Sequence, residues 1–126
     1  MCARCAHTPS KFARTRKIFQ SAQPIVNEAL AVMTCIRRAN AVRVVRKEDY
    51  IYRRSQQVEA FAHAEALLSL IDIAYTALGI ESCRIEHWTG LILEVEDKLK
   101  GWRKSDRERY KSLCTEAAPE VDSASE

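Results

Sequence analysis

The sequence predicts an all-α protein: an antiparallel four-helix bundle with a short first helix and a disordered acidic C-terminal tail. Three observations carry that expectation. Only three glycines and three prolines occur in 126 residues, too few punctuators for a sheet-rich chain with many turns. No run of period-two alternation is present. Ile85, Trp88, Ile92, Val95, Leu99 and Trp102 recur at alternating spacings of three and four, which holds one apolar seam on one side of a helix.

A chain of 126 residues with 47 % hydrophobic content supports one domain and a modest core. The expected organisation is a flexible N-terminus over 1–9, the bundle over 10–113, and the acidic tail over 114–126. Ser10 caps a short first helix from Lys11 to about Gln20, with Phe12 and Phe19 two turns apart. Pro24 then opens a second helix, because proline fits a first turn and costs about 3 kcal/mol in a helix interior. That helix runs to about Val42, with an inner face of Val26, Ala29, Met33, Ile36 and Asn40 and with Ile25, Val32 and Ala39 beside it.

The third helix, about Lys47 to Leu78, bears a stripe of Phe61, Ala64, Leu68, Ile71, Tyr75 and Leu78. Leu67, Leu70, Ala74 and Ala77 lie alongside it. Two neighbouring stripes mean contact with two other helices. Gly79 ends this helix as a C-cap, and Glu81 and Ser82 open the fourth. So short a connection makes the two helices antiparallel neighbours. Gly90 and Gly101 weaken the fourth helix by about 1 kcal/mol each relative to alanine, and are expected to permit close approach of another helix or subunit. Trp88, Gly90 and Trp102 are therefore the expected core or oligomer-packing positions.

The longest mainly apolar run, Leu67 to Ile73, is broken by Ser69 and Asp72 and falls short of the roughly 20 residues that span a bilayer. No signal-peptide core follows the N-terminus. Five cysteines, at 2, 5, 35, 83 and 114, show no disulfide-framework spacing and read as free thiols in a reducing cytoplasm. A soluble cytoplasmic protein is expected, with no membrane partner.

The formal charge of +3 hides a segregation. Residues 1–47 hold ten Lys or Arg against Glu28 alone, a net of +9; residues 48–101 hold five against ten, a net of −5. Residues 102–114 hold five bases against two acids, a net of +3, and residues 115–126 hold four acids and no base, a net of −4. Such a distribution gives one end of the domain a cationic surface that attracts nucleic acid or an acidic protein.

No enzyme class has positive support: no Gly-rich phosphate loop, no G-x-S-x-G and no H-E-x-x-H is present. Cys2, Cys5 and His7 make half a zinc motif without an obvious fourth ligand. Cys83 and His87 share a helix face, and so do Glu59 and His63, but neither pair comes with the further groups that a thiolate or di-iron centre needs. No metal and no cofactor are expected.

The binding residues are sought instead in two basic clusters. Arg37, Arg38, Arg43, Arg46, Lys47, Arg53 and Arg54 surround the junction of the second and third helices. Lys100, Arg103, Lys104, Arg107 and Arg109 lie at and after the end of the fourth. If those last two helices are antiparallel, both clusters converge on one end of the bundle. Converging guanidinium groups suit phosphate contacts, with strong salt dependence and little sequence preference. Tyr50, Tyr52 and Trp102 are candidates for stacking on bases.

Tyr52-Arg53-Arg54 with Gln57, Ile80-Glu81, Trp88, and Leu99-Lys100-Gly101-Trp102-Arg103-Lys104-Ser105-Asp106 together resemble a bacterial four-helix-bundle family. It includes the accessory variability determinant proteins of diversity-generating retroelements and their ribosomal intervening-sequence relatives. The resemblance covers about residues 24–110. It implies a non-enzymatic partner of a reverse transcriptase, assembled as a homopentamer, that binds template RNA and the polymerase through basic surfaces and supports mutagenic cDNA synthesis. The alternative is a protein-only scaffold module of a mobile element. A third reading is a thiol- or zinc-dependent protein using Cys2, Cys5 and His7.

Overall fold

The computed structural model describes residues 11–115. Among them the regular structure is entirely helical: α1 (Lys11–Ala41), α2 (Lys47–Leu78), α3 (Ser82–Arg109) and the short α4 (Lys111–Thr115). The all-α expectation holds. The expected flexible N-terminus and the expected helix cap Ser10 lie outside the described residues, as does the expected acidic tail apart from Cys114 and Thr115 in α4.

The expected break at Pro24 is absent, and the first two expected helices are one helix of 31 residues with Pro24 inside it. Pro24 lacks the N–H that would reach the Gln20 carbonyl, but both residues are exposed, so the cost of the missing bond is lowered by access to solvent and the helix continues. After Ala41 the chain turns over residues 42–46. The Asp49 carboxylate accepts the N–H groups of Val45 (3.1 Å) and Arg46 (2.9 Å) at the start of α2, where the helix dipole favours an anion. These two bonds hold the Asp49 carboxyl below its ordinary range. Gly79 takes the left-handed conformation, φ 62°, and returns its N–H to the Tyr75 carbonyl, the C-cap expected of it.

Adjacent helices run in opposite directions. Along α1 and α2, Glu28 meets His63, Cys35 meets Glu59, and the Val42 carbonyl meets Arg53; one number rises as the other falls. Along α2 and α3, Ala64 packs with Ile92, Ala60 with Leu99, and Gln57 with Asp106. The core has two parts. Val32, Ala64, Leu67, Ile71 and Ile92 form one, and Cys35, Ala60 and Leu99 form the other, with Ile36 and Val95 touching both. Each fully buried Leu or Ile contributes roughly 1.5–3 kcal/mol. Ala39 and Ala60 have no exposed surface; side chains this small let α1 and α2 approach closely.

The buried face of α1 is Val32, Cys35 and Ala39, flanked by Ile25, Ala29 and Ile36, whereas Val26, Met33 and Asn40 are exposed. The expected inner face was thus rotated by about one residue. Val26, Leu30 and Met33 form an apolar row of their own, so hydrophobicity alone does not choose between the two faces. On α3 the seam is as expected, with Ile92 and Leu99 buried and Ile85, Val95 and Trp102 half-buried, although Trp88 lies at its exposed edge.

Gly90 and Gly101 do not mediate close approach within the chain, since a Cβ at either position would meet nothing within 4 Å. By length and composition alone α2 is long and apolar enough to cross a membrane, with an 18-residue window of mean hydropathy 1.3. Here the inward face of α2 carries Gln56 and Gln57 besides Ala60, Ala64, Leu67 and Ile71, packed between α1 and α3.

Candidate nucleic-acid interface

The two basic clusters do meet at one end of the molecule, and the residues that bring them together are polar. Arg53, near the start of α2, donates Nε to Asp106 Oδ2 at 2.6 Å and a terminal nitrogen to Oδ1 at 3.1 Å. Gln57 donates to the same carboxylate at 2.8 Å. Arg53 also reaches the Val42 carbonyl at 3.4 Å, and its guanidinium lies 5.0 Å from the Trp102 ring centre and 6.0 Å from that of Tyr110. Tyr110 in turn meets Tyr50, ring centres 5.6 Å apart. One guanidinium thereby joins the α1–α2 turn, α2 and the C-terminal end of α3.

This corrects one expected phosphate contact. The Arg53 side chain is 11 % exposed and that of Asp106 is 2 %, so its fork is committed to a buried carboxylate in the bidentate geometry that guanidinium favours. Arg53 is a structural cation. Arg54 is half-buried with a nitrogen 3.4 Å from the Tyr50 hydroxyl, and Arg103 is half-buried with its Nε enclosed. Lys47 is half-buried too. Lys100 is exposed and lies 5.3 Å over the Phe61 ring, a cation–π contact.

The remaining expected cations, Arg37, Arg38, Arg43, Arg46, Lys104, Arg107 and Arg109, are exposed. They project from the last two turns of α1, the following turn, and the end of α3. Of the acids nearby in sequence, Asp106 is paired with Arg53, and Asp49 is an ionised carboxylate turned onto the N–H groups at the start of α2. Within residues 37–54 and 100–111 the exposed acids are Glu48 and Glu108. The end therefore carries an excess of positive charge on flexible, solvated side chains, suited to a polyanion backbone. Of the three aromatics considered for base stacking, Tyr50 is buried and Trp102 is covered by Arg53, which leaves Tyr52 exposed.

Sequence reasoning passed over Asp106, Gln57 and Tyr110 as functional positions. A signal existed for two of them. Asp106 continues the α3 seam four residues after Trp102, and Gln57 lies three before Ala60 on the inward stripe of α2, so each is a polar residue at a core position. A second missed link is His63 Nδ1 to Glu28 Oε2 at 2.6 Å, which ties α2 to α1 where only the local pair of Glu59 and His63 had been weighed. Among the described residues no group of three or more His, Cys, Asp or Glu is placed to hold a metal ion; Cys2, Cys5 and His7 lie outside them. Comparison with protein-family models, curated proteins and solved structures finds no match for this chain.

Proposed function

We propose that this chain is a non-enzymatic nucleic-acid-binding module that holds RNA against the basic end formed by the α1–α2 turn and the end of α3. The convergence of Arg37, Arg38, Arg43, Arg46, Lys104, Arg107 and Arg109, with nearby Asp49 and Asp106 committed to internal bonds, carries this reading. Phosphate contacts of this kind supply affinity and orientation without reading bases. The wider role we assign, from the sequence resemblance, is that of a cytoplasmic accessory protein of a diversity-generating retroelement. It would position template RNA for a reverse transcriptase that performs the cDNA synthesis. The free thiols at Cys35, Cys83 and Cys114 fit a reducing compartment.

The test is binding of a structured RNA by the purified chain across a salt series, beside a variant with Arg43, Arg46, Arg107 and Arg109 replaced by Glu and with Arg53 intact. The expected result is a log–log salt slope of several units, at about 0.7–0.9 per phosphate contacted, and at least a tenfold loss in the variant. Absence of binding at low salt, or a variant that binds as the parent does, would return the basic end to a protein-facing or merely solvated surface. The protein-only scaffold reading would then lead.

A further inference from the structure

The outward face of α1 is mostly polar, and its cations stand at the two ends of the helix. Arg16, Gln20, Gln23, Asn27, Thr34 and Arg38, with Leu30 between Asn27 and Thr34, follow one another at spacings of three and four, and all are exposed. That spacing keeps them on one side of the helix. Between Lys17 and Arg37 the sequence carries one charged residue, Glu28, whose carboxylate meets His63 Nδ1 at 2.6 Å. Helix electrostatics account for the cations at one end only. Arg37 and Arg38 lie in the last two turns, where the dipole favours cations; Lys11, Arg14, Arg16 and Lys17 lie in the first two turns, where it disfavours them, and the first turn holds no acid. The second basic group needs a reason outside the helix, and α1 sets its distance from the first: Arg16 and Arg38 are 22 residues apart, roughly 33 Å of helix.

We infer that this face is a track for a double-helical segment of RNA, which lies along α1 so that Arg16 and Lys17 meet phosphates bordering one minor groove and Arg37 and Arg38 meet those bordering the next. The inference rests on the RNA-binding reading and extends its surface from the basic end to the start of α1. A duplex presents the same groove again after roughly 34 Å in the B form, close to the separation of Arg16 and Arg38. In the A form, proteins that recognise shape contact two successive minor grooves and the major-groove phosphates between them, over about 16 bp. Gln20, Gln23, Asn27 and Thr34 then cross those intervening phosphates, to whose oxygens uncharged amides and hydroxyls hydrogen-bond.

Single strands are held differently, on aromatic rings against which unpaired bases stack. Phe19 is the one aromatic residue between Arg16 and Arg38 in the sequence, and it falls outside the row. At the basic end Tyr50 is buried and Trp102 lies under the Arg53 guanidinium, which leaves Tyr52 exposed. Cations at the spacing of a duplex turn, with so little open ring surface beside them, suit a paired backbone and not unstacked bases.

The experiment is fluorescence-anisotropy binding of the full chain, at low salt, to blunt RNA duplexes of about 8 and about 16 bp, the longer one spanning two successive minor grooves. An unstructured single strand with as many phosphates as the longer duplex is measured beside them. The parent is compared with the double variant Arg16→Glu with Lys17→Glu, whose new acids lie near the positive pole of α1 and favour the helix. Counted per binding register, the parent should bind the longer duplex about tenfold or more tightly than the shorter one, and by a similar factor more tightly than the single strand. The variant should lose that length advantage, binding both duplexes as the parent binds the shorter, with an unchanged helical circular-dichroism signal. Equal affinity of the parent for the two duplexes, equal affinity for the single strand, or a variant that keeps the length advantage would each overturn the inference while the RNA-binding reading stands. Binding to none of the three RNAs would overturn both.

Discussion

Arg53 and Asp106, on different helices, form a bidentate ion pair with N–O distances of 2.6 and 3.1 Å that is almost closed to water. An ion pair so placed is costly to break on one side, because the survivor is left charged and buried. Arg53→Ala and Asp106→Ala are each expected to lower stability by about 3–5 kcal/mol, whereas the double replacement Arg53→Met with Asp106→Leu should cost less than either. Urea unfolding of the three variants checks this; full stability in Arg53→Ala would return Arg53 to the free cations.

Glu96 is a second buried acid, 3 % exposed, with Oε1 unpartnered. Burial, followed by the neighbouring charge of Glu65, pushes its carboxyl above the ordinary value of 4.5, against a smaller opposing pull from Lys100. The folded state therefore binds this proton more tightly than the unfolded state does. Its contribution is fully present below the ordinary value and is lost as pH rises through the raised one. Glu96→Gln is expected to raise the urea midpoint at pH 7 and to flatten the decline of stability above pH 4.5; a midpoint that falls at pH 7 would contradict it.

Much of this was legible in the residues. The α3 seam, the C-cap at Gly79 and the meeting of two basic clusters follow from spacing and from the polarity of consecutive helices. What the sequence hid has physical causes. Pro24 is a strong local stop whose cost is lowered by exposure, a property no local pattern reports. The apolar residues of α1 form two rows, and only the close fit of Ala39 and Cys35 against α2 decides which is inside. Arg53 and Arg54 are adjacent and chemically alike, yet Asp106 selects the first, which requires knowing how far α3 runs past Trp102.

Cys35 is 5 % exposed, and desolvation together with the Glu59 carboxylate raises its thiol above the usual range. Thiolate is the reactive form. Brief alkylation of the native protein, read peptide by peptide by mass spectrometry, should label Cys83 and Cys114, which are exposed, and spare Cys35 until denaturant is added. Equal labelling of Cys35 in the native state would show that α1 does not pack on α2 there.

Pro24→Ala restores the missing N–H in the middle of α1 and removes the ring from the preceding turn. A gain of about 1–3 kcal/mol is expected, with more helical signal. The measurement is thermal unfolding by circular dichroism. A loss of stability would mean that the residues before Pro24 gain nothing from continuing the helix.

The connection from α1 to α2 spans residues 42–46, and that from α2 to α3 spans 79–81. With turns this short, the main interhelical contacts join elements that are consecutive in the chain, and little loop entropy is lost before contacts form. Such a topology folds on the microsecond-to-millisecond scale. During synthesis the α1–α2 hairpin is complete as soon as Leu78 has emerged. Docking of α3 is what brings Asp106 to Arg53, so for an interval the nascent chain carries an unpaired guanidinium on a half-covered helix pair. That interval is the step at which a ribosome-bound chain is most open to capture by a chaperone or by a neighbouring nascent copy.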